Sequence, residues 1–221
     1  MVKVRIWDLP TRLFHGALAL SVVGLVITGQ TGGDAMVWHF RLGYAVLTLL
    51  LFRLCWGWVG GHWSRWQQLP LSWRSLQAYR QGLAAQALTA GHNPAGSWSV
   101  LAMLCWLAVQ VATGLVSDDE IANAGPLTSL VSSATVGAAT AWHKGLGKGL
   151  LLALVVLHVG AVLWYKVKKK QDLLPAMLHG DKLMTPDVPA SRDDARTRVL
   201  AILLVLVCAL AVRWLTTLGT P

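Results

Sequence analysis

Seven histidines occur in this 221-residue chain, and four of them, His15, His39, His143 and His158, sit inside long apolar runs. Imidazole is costly in hydrocarbon, so a histidine at membrane depth is a functional candidate by default. The chemistry open to it there is proton exchange, helix–helix hydrogen bonding, or metal ligation through a neutral ring nitrogen. Four such residues at two matched depths point to ligation, as two metal centres stacked across a bilayer. A pair of haems fits better than zinc or copper. No carboxylate or clustered thiol joins these histidines, and tetrahedral zinc wants four ligands at one point.

The elements that must position these rings follow from hydropathy. The chain is 55% apolar with positive mean hydropathy, too hydrophobic for an ordinary soluble domain. Stretches with few or no charges run over residues 13–33, 97–116, 149–165 and 199–212, and another over 38–60 is broken only by Arg41 and Arg53. A bilayer core of about 30 Å needs about 20 residues of helix. Five spans are expected, the last of them from Val199 to Thr216. The expected fold class is an all-α integral membrane four-helix bundle core, with a fifth C-terminal transmembrane helix.

The net charge of +9 is a topology signal. Lys3, Arg5 and Arg12 precede the first span, Arg65, Arg74 and Arg80 follow the second, and Lys166, Lys168, Lys169 and Lys170 follow the fourth. The opposite-side connections carry Asp34 and then Asp118, Asp119 and Glu120. This positive-inside pattern puts the N-terminus in the cytoplasm and argues against a nucleic-acid footprint. Lys144 and Lys148 break the pattern. The basic start followed by an apolar run reads as an uncleaved first helix rather than a signal peptide, since cleavage would discard His15.

Direction then decides which histidines can meet. The first span runs outward, leaving His15 near the cytoplasmic face, and the second runs back from His39 near the outer face. The fourth carries His143 outside and His158 toward the inside. Depth therefore pairs His15 with His158 and His39 with His143. On one continuous helix the 15 residues from His143 to His158 rise about 22 Å and turn them roughly 60° apart, so both could face one interior. Small residues one turn toward the centre, Ala19, Gly43 and Gly147, would leave room for a macrocycle edge, whereas Leu154 stands at that place beside His158.

Other features have plainer readings. His62, His92 and His179 lie in loops and read as structural, as does the mid-span Trp106. Cys55, Cys105 and Cys208 fall in different spans and read as buried structural thiols, and no Cys-x-x-Cys-His offers covalent haem attachment. The 61–96 loop holds a candidate surface helix over Leu69–Leu83, the 117–140 loop is polar, and 181–198 reads as a connector.

The stretch Arg5-Ile-Trp-Asp-Leu-Pro-Thr-Arg-Leu-Phe-His15 resembles the start of bacterial cytochrome b561-type membrane proteins, relatives of the cytochrome b subunits of nickel–iron hydrogenases. Further matches are Trp38-His39 with Leu42-Gly43-Tyr44, Phe52-Arg53 with Trp56-Gly57, Gly91-His92-Asn93-Pro94, and Leu157-His158-Val159. Asp172-Leu173-Leu174, Ala176-Met177 and Gly180 extend the likeness, which covers roughly residues 4 to 184. Gly16 and Lys144 depart from the aromatic or acidic residues common in relatives. The resemblance implies a di-haem membrane domain over residues 1–184, with 185–221 as connector and C-terminal transmembrane helix. It implies two non-covalent b-type haems, each between two of the four histidines.

Haem held by two imidazoles has no open axial position, which favours electron transfer over oxygen chemistry. Arg12 near His15 and Arg41 near His39 are candidates to neutralise haem propionates, with snorkelling as the rival account. By resemblance, the partners would be membrane quinone or quinol and a periplasmic hydrogenase or c-type cytochrome, at the bacterial inner membrane and within a respiratory oxidoreductase. The acidic 118–120 cluster would steer a basic partner, although a solvated loop explains the same residues. Rival functions are a stand-alone quinone-linked superoxide oxidase, a haem-free proton-coupled transporter, and an assembly or anchoring subunit.

Overall fold

The structure is a computed structural model that describes residues 1–83 and 89–219. Its long helices begin at residues that can satisfy free backbone donors. Asp8 accepts the Thr11 N–H at 2.8 Å at the head of α1 (Leu9–Thr31), with Pro10 in the first turn, where its missing N–H costs nothing. Two glycines in the left-handed region, Gly32 (φ 66°) and Gly33 (φ 54°), turn the chain into α2 (Met36–Val59). Asn93 caps α4 (Pro94–Leu115) through the Gly96 N–H at 2.7 Å, and Asp194 caps α8 (Ala195–Leu215) through the Thr197 N–H at 2.8 Å. Ser72 and Ser132 do the same for α3 (Trp73–Arg80) and α5 (Ser133–Trp142).

Five helical segments among the described residues are long and apolar enough to cross a membrane: Leu9–Thr31, Gly33–Val59, Pro94–Leu115, Ser133–Lys168 and Ala195–Leu215. Leu20, Ile27, Val156, Leu157, Leu203 and Leu210 are exposed on them, as lipid-facing side chains would be. The chain is an all-α, multi-pass membrane protein.

Several details depart from expectation. The fourth span starts at Ser133, inside the stretch read as the 117–140 loop, so the last part of that loop is helix. It is not continuous: residues His143–Gly147 form a π-helical segment in which Gly145 leaves helical geometry (φ −101°, ψ −109°), before α6 (Lys148–Lys168) resumes. The 100°-per-residue relation between His143 and His158 therefore does not hold. The candidate surface helix over Leu69–Leu83 shortens to Trp73–Arg80, because Ser72 caps it in extended backbone, accepting the Ser75 N–H, and Gly82 (φ 74°) turns the chain away just past its end. Residues 84–88 of the 61–96 loop lie outside the described residues.

The chain divides into two compact units, one comprising Met1–His15, Arg53–Ala102 and Leu157–Leu204, the other Gly16–Phe52, Met103–Val156 and Val205–Pro221. The first contains a small antiparallel sheet, β1 (Val2–Arg5) with β2 (Asp181–Met184), which pairs Arg5 opposite Asp181. Arg5 binds Asp181 at 2.6 Å and Asp193 at 2.5 Å. Gly180 (φ 92°) ends α7 (Leu174–His179), and its carbonyl accepts from the N–H groups of Ile6 and Trp7. Val4, Ile6, Trp7, Trp63, Ala176, Met184 and Val188 are buried together beneath these elements. In the second unit, Asp118 and Ala124 form an isolated bridge, and Asp119 Oδ1 accepts the N–H groups of Ile121, Ala122 and Asn123. The Asn123 Nδ2 donor at 2.7 Å to Oδ2, together with these backbone bonds, holds the Asp119 carboxyl far below its usual range.

Candidate functional site

The four histidines meet two by two, each pair inside one compact unit. In the first unit the His15 ring of α1 and the His158 ring of α6 have centroids 6.3 Å apart with planes turned by 49°. In the second, the His39 ring of α2 and the His143 ring at the α5 break are 6.2 Å apart and turned by 83°. A metal–imidazole nitrogen bond is about 2.0 Å and the nitrogen sits about 1.1 Å from its ring centre, so rings on opposite sides of one metal ion have centroids about 6.2 Å apart. Both separations fit. No group of three or more His, Cys, Asp or Glu side chains that could hold a metal occurs among the described residues. Two nitrogens alone suit a metal whose remaining ligands come with it, as a porphyrin supplies them.

The second pair is oriented by helix backbone. His39 Nδ1 lies 3.1 Å from the Leu25 carbonyl and 3.2 Å from Thr28 Oγ1, both on α1. His143 Nδ1 lies 2.8 Å from the Gln110 carbonyl and 3.5 Å from Thr113 Oγ1, both on α4. A carbonyl only accepts, so each Nδ1 carries its proton and each Nε2 keeps a lone pair for a metal. A Cβ on Gly43 would meet nothing within 4 Å, which leaves open room one turn from His39. Gly147 behaves differently from expectation, since a Cβ there would strike Gln110 and Trp142: its smallness serves helix packing.

The break after α5 frees backbone carbonyls, and α4 satisfies them. Gln110 Nε2 donates to the His143 carbonyl at 2.8 Å, and Trp106 Nε1 donates to the Gly147 carbonyl at 2.9 Å. Trp106 also packs on Trp142, with centroids 5.3 Å apart. Its mid-span position was legible, but the acceptor that explains it was not. π-Helical insertions recur at functional sites because they re-aim one side chain without ending the helix; here that side chain is His143.

In the first unit a polar network gathers at the helix ends and connecting segments. Asp8, fully buried, accepts from the Thr11 N–H (2.8 Å), Trp56 Nε1 (3.2 Å), the Gly61 N–H (3.0 Å) and Ser64 Oγ (2.7 Å). It ties the start of α1 to the end of α2. Arg53, also buried, lies over the Trp66 ring at 4.1 Å, and its Nη1 has no hydrogen-bond partner among the described residues. Arg12 donates from Nη1 to the Leu178 carbonyl at 2.6 Å, and its buried Nε is likewise unpartnered. Arg41 is exposed and its guanidinium lies over Trp38 at 5.0 Å. His92 packs against Trp7 at 4.7 Å. Burial first, then the nearby Arg53 and Lys182 cations, pushes its imidazole down to about 3. Burial lowers Lys182 to about 8, and its Nζ donates to the Ala90 carbonyl at 2.7 Å. Sequence reasoning placed Asp8 only within a quoted motif, read Arg53 as a break in an apolar stretch and His92 as a structural loop histidine, and missed Lys182 and Gln110. A buried charge inside an apolar run, Arg53, was the signal to follow.

The thiols correct one expectation. Cys208 is buried, but Cys55 and Cys105 are exposed on helix surfaces, where lipid would contact them.

Comparison with known proteins agrees with this architecture. A Probable Ni/Fe-hydrogenase B-type cytochrome subunit of Azotobacter vinelandii is 26% identical over 226 aligned positions, covering 84% of this chain and 91% of the relative. Its counterpart in Azotobacter chroococcum mcd 1 is 25% identical over 225 positions, with the same coverage. A Probable Ni/Fe-hydrogenase 1 B-type cytochrome subunit of Escherichia coli (strain K12) is 22% identical, covering 81% of this chain and 91% of its own length. No solved structure matches. The family model for prokaryotic cytochrome b561 matches residues 6–180, a segment that includes all four paired histidines. The chain therefore belongs to the prokaryotic cytochrome b561 family, membrane proteins of transmembrane electron transfer through b-type haem.

Proposed function

We propose that this chain carries electrons across the bacterial inner membrane through two non-covalent b-type haems, one between His15 and His158 and one between His39 and His143. The observation that carries this reading is the pairing itself: two imidazole pairs at 6.3 and 6.2 Å, each with the separation one shared metal requires. Bound there, haem would be held by these four imidazoles and would supply a one-electron couple.

The protein's own residues do the rest. The carbonyls of Leu25 and Gln110 hold the rings of His39 and His143 in the tautomer that presents Nε2. Arg12 and Arg53, with buried unpartnered N–H groups, are suited to haem propionates at the His15–His158 centre. Arg41 is the corresponding candidate near His39, and would have to leave its stack on Trp38. The apolar helices keep water from the rings between these polar points.

The basic segments before α1, after α2 and after α6 support a cytoplasmic N-terminus. His15–His158 would then be the cytoplasmic-side centre and His39–His143 the periplasmic one. Relatives named as hydrogenase cytochrome subunits support a hydrogenase, or a comparable periplasmic protein such as a c-type cytochrome, as one partner. Membrane quinone would be the other.

The test is a reduced-minus-oxidised spectrum of detergent-purified protein with haem counted per chain. Two haems are expected. His39→Ala and His143→Ala should each remove the same centre, and His15→Ala and His158→Ala the other. A single haem per chain, or loss of one common centre from His15→Ala and His39→Ala, refutes the assignment.

A further inference from the structure

The surroundings of His39 and His143 are built twice from a similar short sequence, of pattern x-Val-x-Thr-Gly. Residues 25–29 on α1 read Leu-Val-Ile-Thr-Gly, and residues 110–114 on α4 read Gln-Val-Ala-Thr-Gly. In both, the carbonyl of the first residue accepts the imidazole Nδ1–H, at 3.1 Å from Leu25 and 2.8 Å from Gln110. In both, the threonine three residues on places its hydroxyl beside the same nitrogen, at 3.2 Å for Thr28 and 3.5 Å for Thr113. Each hydroxyl sends its own proton back along its helix, Thr28 to the Gly24 carbonyl at 2.7 Å and Thr113 to the Val109 carbonyl at 2.9 Å. The hydroxyl oxygen is thereby left facing the imidazole N–H as an acceptor.

The glycine that follows admits the ring. A Cβ on Gly29 would stand 3.0 Å from His39 Cε1, and one on Gly114 would stand 2.8 Å from His143 Cε1. Neither glycine has a positive φ, so the requirement is space and not backbone conformation. The colliding atoms belong to an imidazole already held by a carbonyl, so the ring could yield only by giving up that bond. Around His15 and His158 no hydrogen bond to a ring nitrogen occurs among the described residues, so this device belongs to one centre.

We propose that Thr28–Gly29 and Thr113–Gly114 form a duplicated imidazole seat, and that these four are positioning residues setting the tautomer, tilt and basicity of His39 and His143. The proposal rests on the reading of those histidines as ligands of one haem. An Nδ1–H bond to a carbonyl makes the ring a stronger donor through Nε2, which favours the oxidised metal. Weakening the seat should therefore raise the midpoint potential of that centre and leave the other unmoved.

The experiment is a redox titration with low-temperature electron paramagnetic resonance spectra of purified, haem-loaded Gly29→Ala, Gly114→Ala, Thr28→Val and Thr113→Val, beside His39→Ala. The alanine variants should shift the potential of the centre that His39→Ala removes upward, with altered resonance, or lose that haem alone. The near-isosteric valine variants keep the glycine and should give a smaller upward shift, which holds the proposal testable should an alanine variant fail to fold. If His39→Ala removes one haem while potential and resonance of that centre stay unchanged in the valine variants and every folded alanine variant, the seat is refuted. If His39→Ala removes no haem, the underlying ligand assignment fails instead, and with it the proposal.

Discussion

The two imidazole pairs reach nearly the same separation by different means. His39 and His143 are pinned by the backbone of neighbouring helices, through carbonyls at 3.1 and 2.8 Å. His15 and His158 stand in a unit whose polar machinery lies in the connecting segments and at span ends: the β1–β2 sheet, the Asp8 hub, His92 and Lys182, with Arg53 near the end of α2. One imidazole pair is oriented by helix backbone within the apolar spans, where an unsatisfied backbone group costs several kcal/mol. The other shares its unit with a polar network that joins distant parts of the chain. A membrane helix can thus be an imidazole's hydrogen-bond partner as well as its carrier.

The sharpest way to break this contrast is Asp8→Ala. Its carboxylate serves four donors in a fully buried site, and leaving a buried donor unpaired costs about 1–3 kcal/mol for each one. Thermal melts followed at haem absorbance should show the His15–His158 centre released first, at a clearly lower temperature than in the parent. Equal sensitivity of both centres would erase the distinction.

Gln110→Leu makes the opposite cut. It removes the donor to the His143 carbonyl at the α5–α6 break, leaving a polar group unpaired at a cost of about 1–3 kcal/mol. The His39–His143 centre should broaden in its optical band and melt earlier, while the His15–His158 centre keeps its parent behaviour.

The smallest effect concerns pH. Lys182 titrates near 8 in the fold against an ordinary 10.5, so between those values the unfolded chain keeps a proton that the fold sheds. Stability of the first unit should accordingly rise from pH 8 toward 10.5, by at most about 1.4 kcal/mol per pH unit. Lys182→Met should flatten that rise in thermal melts. A fall in stability over the same window would mean that the ammonium is stabilised by burial among the Ala90 and Gly91 carbonyls.

Much of the molecule was legible before folding. The apolar runs announced five spans, and their alternating direction was enough to pair His15 with His158 and His39 with His143. The fourth span was misplaced at its start because Ser133–Trp142 is rich in small residues, whose weak hydropathy reads as loop until Ala139 and its neighbours are seen in a helix. The interruption at His143–Gly147 was hidden for a related reason: Gly145 and Gly147 are compatible with a straight membrane helix and with a broken one. The pair Thr-Gly recurred in plain sight at residues 28–29 and 113–114. Without knowing which carbonyl faced which ring, it carried no chemistry.

By itself, the sequence determined what is local: helices at membrane length, their caps at Asp8, Asn93 and Asp194, and the histidines' order along the chain. Hydropathy and capping act over a few turns and need no distant partner. Only the tertiary structure decided the β1–β2 register across some 180 residues of chain, the four donors on Asp8, and the glycines against which His39 and His143 rest. Those depend on which backbone atoms approach within hydrogen-bond or van der Waals distance, a property of packed helices that no single segment contains.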